Sequence, residues 1–321
     1  MYITIRRIEM ALDRLIKKIV EKQNPTVAGL DPKLAYIPEY IKAEAYAKYG
    51  KTLEGAAEAL WVYNKGLIDA LCDIVPAVKP QAAYYEMYGW QGVRTLERTI
   101  KYAKEKGMFV ITDGKRNDIG TTMEAYAAAH LGETELEGEM LEAFGADALT
   151  VNGYLGSDGI KPVINVAQKG DKGMFVLVKT SNPSSGELQN LELEGGESIY
   201  LHMGKLCEKW GEELPGEYGY SGVGAVVGAT YPQQLTELRK ELPHTFFLVP
   251  GYGAQGGTAD DIAGAFDKNG LGAIVNSSRG IMCAWQKEGC DGHEYAEAAR
   301  REALKMKKLL TDVTGEIKLN K

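Results

Sequence analysis

Short runs of apolar residues recur along the chain, and residues that favour turns (Gly, Asn, Asp, Pro or Ser) end or follow each of them. Continuous runs of this length are typical of strands that are covered on both faces, as in a parallel sheet. The pattern predicts eight strands: Val27–Leu30, Ala77–Pro80, Met108–Thr112, Ala148–Asn152, Met174–Thr180, Gly224–Ala229, Phe246–Gly251 and Ala273–Ser278.

Segments with helical spacing of apolar residues separate these runs, for example 56–74, 92–107 and the long 294–310 near the C-terminus. Alternating strands and helices indicate βαβ units with right-handed crossovers. Eight units in series predict an α/β protein with a (β/α)8 TIM barrel, and an N-terminal helix from Ile5 to about Lys22 is expected to cap it. A doubly wound sheet is the alternative, but no G-x-G-x-x-G follows the first strand.

Two stretches between the predicted strands are longer than ordinary loops, at about 32–55 and 183–222. Both contain helical patterns, and neither is flanked by a low-complexity linker. We therefore expect residues 1–321 to form a single barrel domain that carries two helical insertions.

The composition limits the class of protein. Among 321 residues there are 37 Lys and Arg against 44 Asp and Glu, a net charge of −7, which disfavours a nucleic-acid partner. Hydrophobic residues make up 45%, yet no run of 18 apolar residues and no signal-like apolar start occurs, so no membrane partner is expected. These features favour a soluble, cytoplasmic protein.

Cysteine and histidine offer little chemistry. The cysteines form no C-x-x-C pair, which indicates reduced thiols rather than disulfides or a zinc site. The histidines are also scattered, so neither a metal site nor histidine acid–base chemistry is predicted. The residues are Cys72, Cys207, Cys283, Cys290, His130, His202, His244 and His293.

Charged residues lie instead where predicted strands end. Asp31 follows the first strand, Lys79 lies in the second, and the third runs into Asp113, Lys115 and Asp118. In these barrels the active site forms at the carboxyl ends of the strands. Asp113 and Lys115 share one side of an extended chain, and one more turn of chain can return Asp118 to them. We expect alternating charges in one small space; a solvated loop or a structural salt-bridge network is the alternative.

A second group of residues suits an anion. Predicted strand 7 is followed by PGYGAQGG and strand 8 by NSSRG, and the loops after these strands frequently bind phosphate. Glycine lets backbone amides approach phosphate oxygens, the Gln255 amide can donate, and Arg279 supplies a bidentate cation. After strand 5, Ser181 is placed either to bind a polar heterocycle or to form a turn. The aromatic residues Tyr84, Tyr85, Tyr88 and Trp90 are expected to pack against helices.

Together the strings GLDP, AVKPQAAYYEMYG, ITDGKRNDIGTT, KTSNPSSG, PGYGAQGG and NSSRG resemble the orotidine 5′-monophosphate decarboxylase family, most nearly its longer (type 2) subgroup. The resemblance implies a lyase that converts orotidine 5′-monophosphate (OMP) to UMP and CO₂ in pyrimidine biosynthesis, without a cofactor or metal. It implies a charged network of Lys79, Asp113, Lys115 and Asp118, in which Lys115 protonates C6 of the pyrimidine.

The resemblance also implies the residues that bind the substrate. Asp31 and Thr122 would contact the ribose, Ser181 the pyrimidine amide, and Gln255 and Arg279 the phosphate. It further implies a homodimer with shared active sites, in which Asp118 and Thr122 reach into the partner's site.

Two other functions fit part of the pattern. A metal-dependent hexulose-phosphate synthase of the same barrel group also carries D-x-K-x-x-D, but it needs a divalent ion for an enediolate, so a chelator would separate the two. A nucleotide-binding barrel without catalysis would bind UMP and leave the absorbance of OMP unchanged. The intact charged set argues against a mere binder, which has no use for buried ions.

Overall fold

The computed structural model describes residues 10–253 and 256–320. Eight parallel strands form a closed barrel in which each strand pairs with the next and the eighth returns to the first, where Thr26 lies opposite Val275. The strands are β1 (Thr26–Leu30), β2 (Ala77–Pro80), β3 (Phe109–Arg116), β4 (Ala148–Val151), β5 (Gly173–Lys179), β6 (Val223–Val227), β7 (Phe247–Val249) and β8 (Ala273–Ser277). The predicted (β/α)8 barrel is confirmed, and every predicted strand overlaps an observed one.

Helices surround the barrel and bury the outward faces of its strands. Outward residues such as Val78, Val110 and Leu149 belong to a core shared with the helices, which explains the continuous apolar runs. The helices are α1 (Ala11–Lys22), α2 (Glu39–Tyr49), α3 (Leu53–Leu71), α4 (Ala83–Glu86), α5 (Gly89–Glu105), α6 (Gly120–His130), α7 (Ser157–Gly170), α8 (Gly186–Gln189), α9 (Ile199–Gly211), α10 (Pro232–Glu241), α11 (Arg279–Met282), α12 (Ala284–Glu288) and α13 (Tyr295–Thr314).

Helix α1 covers the end of the barrel where the strands begin. Its apolar side chains Leu12, Leu15, Ile16 and Ile19 are fully buried in one cluster with the inward residues of the strands. Arg14 ties the helix to the barrel by donating two hydrogen bonds of 3.1 Å to Asp147, just before β4. The predicted capping helix is confirmed from residue 11, and its predicted first residues 5–9 lie outside the described residues.

Both long connections contain helices. Residues 32–55 form a short 3₁₀ turn, α2 and the start of α3, while residues 183–222 form a 3₁₀ turn, α8 and α9. In the second connection, Tyr200 and Trp210 of α9 pack into the outer core.

A two-stranded hairpin between α6 and β4 was not expected. Thr134–Leu136 pairs antiparallel with Glu139–Leu141 around Glu137 and Gly138, both of which have positive φ. All six strand residues are exposed, so no buried row marks these strands in the sequence.

The structure also bears on two expectations from composition. Within the described parts of the chain, no helix has the length and apolar character needed to cross a membrane. The four cysteines are all free thiols.

Candidate active site

A cavity of about 650 Å³ opens at the carboxyl ends of the strands. This volume is typical of a site for a small ligand. Six of the candidate site residues predicted from the sequence line it, and they come from four strand ends and the start of α11: Asp31, Lys79, Asp113, Lys115, Ser181 and Arg279.

Alternation along the strands places the charges in this cavity. On β3, Phe109 and Ile111 point into the apolar barrel interior, and Asp113 continues the same row two residues later. On β2, Lys79 follows the inward Ala77 in the same way. Side chains in a strand alternate between faces, so the row that fills the barrel becomes the row that lines its mouth.

Asp113 lies between two ammonium groups. Its Oδ2 is 2.6 Å from Nζ of Lys79, and its Oδ1 is 2.6 Å from Nζ of Lys115. The Lys79 and Asp113 side chains are buried, whereas the Lys115 side chain is 46% exposed and faces the open cavity. Lys115 is therefore the most accessible member of this charged array of Lys79, Asp113 and Lys115.

Thr150 on β4 completes this arrangement. Its hydroxyl donates to Oδ1 of Asp113 at 2.9 Å and accepts the backbone N–H of Lys115 at the same distance. One hydroxyl thus fixes both the carboxylate and the backbone of the lysine beside it. Thr150 was not among the residues predicted from the sequence, although its place two residues after the inward Ala148 marks it as cavity-facing.

The charges hold one another in the ionised state. Burial alone would raise the pKa of Asp113, but the ammonium groups of Lys79 and Lys115 hold that pKa well below its usual range. Burial alone would lower the pKa of Lys79, but Asp113 and Asp31 raise it. The buried part of the array is therefore a paired, charged group rather than a neutral one.

The backbone at Lys115 is in the left-handed region, with φ +47°. This conformation is uncommon for a residue with a side chain and is found where the surrounding structure enforces it. The register between β3 and β4 shifts between Thr112 and Arg116, so the strand is irregular at this point.

Asp31 occupies the neighbouring wall of the cavity. Burial raises its pKa and Lys79 opposes the rise, while the Ser278 hydroxyl hydrogen-bonds to the carboxylate. The Asn276 amide donates to Oγ of Ser278 at 3.2 Å. A Cβ on Gly29 would lie 1.9 Å from that Oγ, so only glycine fits beneath Ser278. Oδ1 of Asp31 is buried and has no hydrogen-bond partner among the residues that the structure describes, which leaves an acceptor for a ligand.

The structure describes part of the predicted anion site, the part that includes Arg279. Arg279, the first residue of α11, lines the cavity together with Gly251 and Tyr252 of the loop after β7. The predicted phosphate ligand Gln255 lies outside the described residues. Lys33, in the loop after β1, is a further cation at the cavity that the sequence analysis did not predict.

Ser181 lines the cavity beside Gly228, which follows β6. A Cβ on Gly228 would lie 2.9–3.0 Å from atoms of Ser181, so these two backbone segments approach more closely than a larger residue at position 228 would permit. Tyr84 packs against the outer core and also lines the cavity. Its neighbours Tyr85 and Tyr88 are buried in the core as expected, while Trp90 is exposed.

Asp118 and Thr122 are not brought to the cavity of their own chain. After Arg116 the chain leaves the barrel, Oδ1 of Asp118 accepts the N–H of Ile119 at 2.8 Å, and Thr122 is exposed on α6. The expectation that one turn of chain returns Asp118 to the other charges is therefore wrong within one chain. The irregular backbone at Lys115 directs the chain outward instead.

The positions of the His, Cys, Asp and Glu side chains decide whether a metal ion could be held. In residues 10–253 and 256–320, no three His, Cys, Asp or Glu side chains converge in a way that could hold a metal ion. Both oxygens of Asp113 already accept hydrogen bonds from lysine or threonine.

A barrel with paired ammonium groups and an arginine at its mouth defines an enzyme that acts on a small anionic substrate. Comparison with known proteins gives the family. A profile of the orotidine 5′-phosphate decarboxylase / HUMPS family matches residues 63–288, and the chain belongs to this family.

Relatives in the family resemble almost the whole chain. An orotidine 5′-phosphate decarboxylase from Rhodopirellula baltica is 44% identical over 91% of this chain and 96% of its own length. One from Caldicellulosiruptor bescii is 43% identical over 85% of this chain and 90% of its own length. The structure of Leishmania donovani OMP decarboxylase is 30% identical, with a TM-score of 0.68, and the match covers 91% of this chain and 99% of that one.

Proposed function

We propose that this chain decarboxylates OMP to UMP and CO₂. The observation that carries the proposal is the array in which Asp113 lies 2.6 Å from both Lys79 and Lys115, with Arg279 lining the same cavity. The curated relatives named orotidine 5′-phosphate decarboxylase support the same substrate.

The chemistry follows from where charge develops. When the bond between C6 and the carboxylate breaks, its electron pair stays on C6, which has no adjacent carbonyl to delocalise it. An ammonium group held beside C6 stabilises that charge more in the transition state than in the substrate. Lys115 then donates its proton to C6, CO₂ leaves, and solvent reprotonates the lysine. Lys79 and Thr150 keep Asp113, and through it Lys115, in place.

The remaining residues bind the parts of the nucleotide that do not react. We assign the ribose hydroxyls to Asp31, whose Oδ1 accepts no hydrogen bond from the described part of the chain, and the pyrimidine amide to Ser181. We assign the phosphate to Arg279 and Gln255. Binding energy from the phosphate supplies orientation at C6, because remote contacts can be used to hold the reacting groups in line.

The direct test is a spectrophotometric assay with OMP in the presence and absence of EDTA. We expect orotate absorbance to fall at the same rate in both. Reversible loss of activity in EDTA would favour a metal-dependent hexulose-phosphate synthase, and binding of UMP without any absorbance change would favour a non-catalytic nucleotide-binding protein.

We further propose that two copies share their active sites through Asp118 and Thr122. Apolar side chains in this region are exposed in the single chain: Ile119, which follows Asp118, is 52% exposed, Leu155, which like Asp118 lies close to Gly159, is 45% exposed, and its neighbour Tyr154 is 75% exposed. An exposed apolar group next to a charged residue that misses its own cavity is typical of an interface. A cytoplasmic location remains a prediction.

Complementation tests the shared site. Lys115→Ala and Asp118→Ala homodimers should each be nearly inactive. Mixing them should restore about a quarter of wild-type activity, because half of the dimers are mixed and each contains one intact site. If no activity returns although subunits exchange, Asp118 does not act across the interface.

A further inference from the structure

A second buried lysine lies beside the cavity but outside the catalytic array. Lys179, the last residue of β5, is fully buried. Its Nζ donates to Oγ of Ser185 at 3.0 Å and to Oδ1 of Asn190 at 2.9 Å, and it lies 4.3 Å from the ring centre of Tyr231. Among the described residues, no carboxylate lies within 4 Å of this ammonium. Burial of a cation with only neutral partners is costly, so a role for the charge is expected.

The two acceptors belong to one loop, residues 182–190, which opens the second insertion. The same loop contributes Asn182 and Gln189 to the cavity wall. Oε1 of Gln189 accepts the N–H of Thr180 at 3.0 Å, and its Nε2 donates to Oγ1 of Thr180 at 2.8 Å. Lys179 therefore holds the loop near its middle and at its end, while Thr180 holds Gln189 toward the cavity.

Tyr231 extends the attachment to the other side of the loop. Its hydroxyl donates to the carbonyl oxygen of Asn182 at 3.4 Å and accepts from Oγ of Ser185 at the same distance. The ammonium of Lys179 lies over the face of this ring, a favourable position for a desolvated cation. Tyr231 thus holds the start of the loop at Asn182, and it shares Ser185 with Lys179.

We propose that Lys179 is a positioning residue whose ammonium holds loop 182–190 against the barrel, so that Asn182 and Gln189 form a wall of the nucleotide cavity. An ammonium suits this task because its three donors reach two acceptors at once. An apolar side chain of the same length fills the space but leaves Oγ of Ser185 and Oδ1 of Asn190 without this donor. The inference rests on the proposed function only in naming the nucleotide as the ligand that the wall contacts.

Lys172 offers a matched control at the opposite end of the same strand. It directly precedes β5, is also buried, and donates to the carbonyl of Ala146 at 3.0 Å and to Glu142 at 3.3 Å. It does not line the cavity. Lys172→Met and Lys179→Met make the same chemical change, so a difference between them in ligand binding reports position rather than the loss of a buried charge.

The experiment compares UMP affinity, the KM and kcat for OMP, and the Tm of the two variants. We expect Lys179→Met to raise the Kd for UMP and the KM about tenfold with kcat within about threefold, since loss of orientation in a binding wall weakens binding first. Both lysine variants should lose some Tm, because each leaves buried acceptors without their donor. Lys172→Met should leave UMP affinity unchanged.

Two further measurements keep the inference testable if a variant folds poorly. The double variant Ser185→Ala/Asn190→Ala removes the acceptors from the loop side and should weaken UMP binding to a similar extent. Limited proteolysis should cleave the segment 182–197 faster in Lys179→Met than in Lys172→Met. Wild-type UMP affinity in Lys179→Met, or equal weakening in both lysine variants, would overturn the proposal.

The same experiment separates this inference from the proposed function. If the wild-type protein neither binds UMP nor decarboxylates OMP, the proposed function fails. The proteolysis comparison needs no ligand and still decides whether Lys179 anchors the loop.

Discussion

At the end where the strands begin, inward side chains such as Phe109 and Phe175 pack with α1 into a closed, apolar cluster. At the end where the strands finish, the same inward rows carry Asp113, Lys79 and Thr150 around an open cavity. Burial of apolar surface stabilises the fold by about 25 cal/mol per Å², whereas burial of ions is costly even when they are paired. The comparison indicates that the closed end supplies stability and the open end uses part of it for chemistry.

The largest expected effect lies at the open end. Lys115→Ala should lower kcat by on the order of 10³-fold or more, because the ammonium acts mainly on charge that develops in the transition state. UMP affinity should stay within about tenfold, and the Tm should change little since Asp113 keeps Lys79 and Thr150. Single-turnover and UMP-binding measurements check this. A variant that retains most of its turnover would remove Lys115 from its proposed role.

A substitution at the closed end should instead lower the free energy of unfolding and leave kcat unchanged. Ile16→Ala leaves a cavity beneath the barrel and should cost roughly 2–5 kcal/mol in the free energy of unfolding, with kcat of the folded enzyme unchanged. Denaturant unfolding and an assay well below the Tm measure the two quantities. A loss of kcat without a loss of stability would break the division between the two ends.

Arg279→Ala tests binding at the open end without touching the charged array. We expect UMP affinity to fall by on the order of 2 kcal/mol, roughly 30-fold, because a charge-assisted pair with the phosphate is lost. Uridine, which has no phosphate, should be unaffected as a ligand. Equal UMP affinity in wild type and variant would place the phosphate elsewhere.

The expected effect that is smallest per pH unit concerns acid stability. His130 is buried against Phe144, and burial, aided by the nearby charge of Arg116, lowers its pKa to about 4. From about pH 6.5 down to 4 the unfolded chain binds a proton at this imidazole and the folded chain does not, so stability falls as pH falls, by at most about 1.4 kcal/mol per pH unit. His130→Phe should show a shallower slope in urea unfolding over that range. Parallel slopes would assign the acid sensitivity to other groups.

The sequence predicts the strands and the charges on them because both follow one periodicity. Asp113 and Lys79 could be placed since each continues an inward apolar row. Asp118 could not, because the left-handed backbone at Lys115 interrupts the alternation and the strand ends at Arg116.

Other parts of the site lack such a signal. Thr150 and Ser278 are small polar residues that alternation marks as inward, but only their hydrogen bonds show what they hold. Tyr84 lies in a run of aromatic residues whose members face different ways. Loop 182–190 is placed by contacts of Lys179 that no local pattern encodes.

The closed end also joins distant parts of the chain. The Gln23 side chain, just after α1, donates to the carbonyl of Ile317 at 2.8 Å and accepts its N–H at 2.9 Å, and Ile317 packs in the same apolar cluster as α1. During synthesis on the ribosome, these contacts between Gln23, α1 and Ile317 can form only after residue 317 has emerged. Contacts of such long sequence separation form late, so the apolar face of α1 is fully covered only after all eight barrel strands have been synthesised.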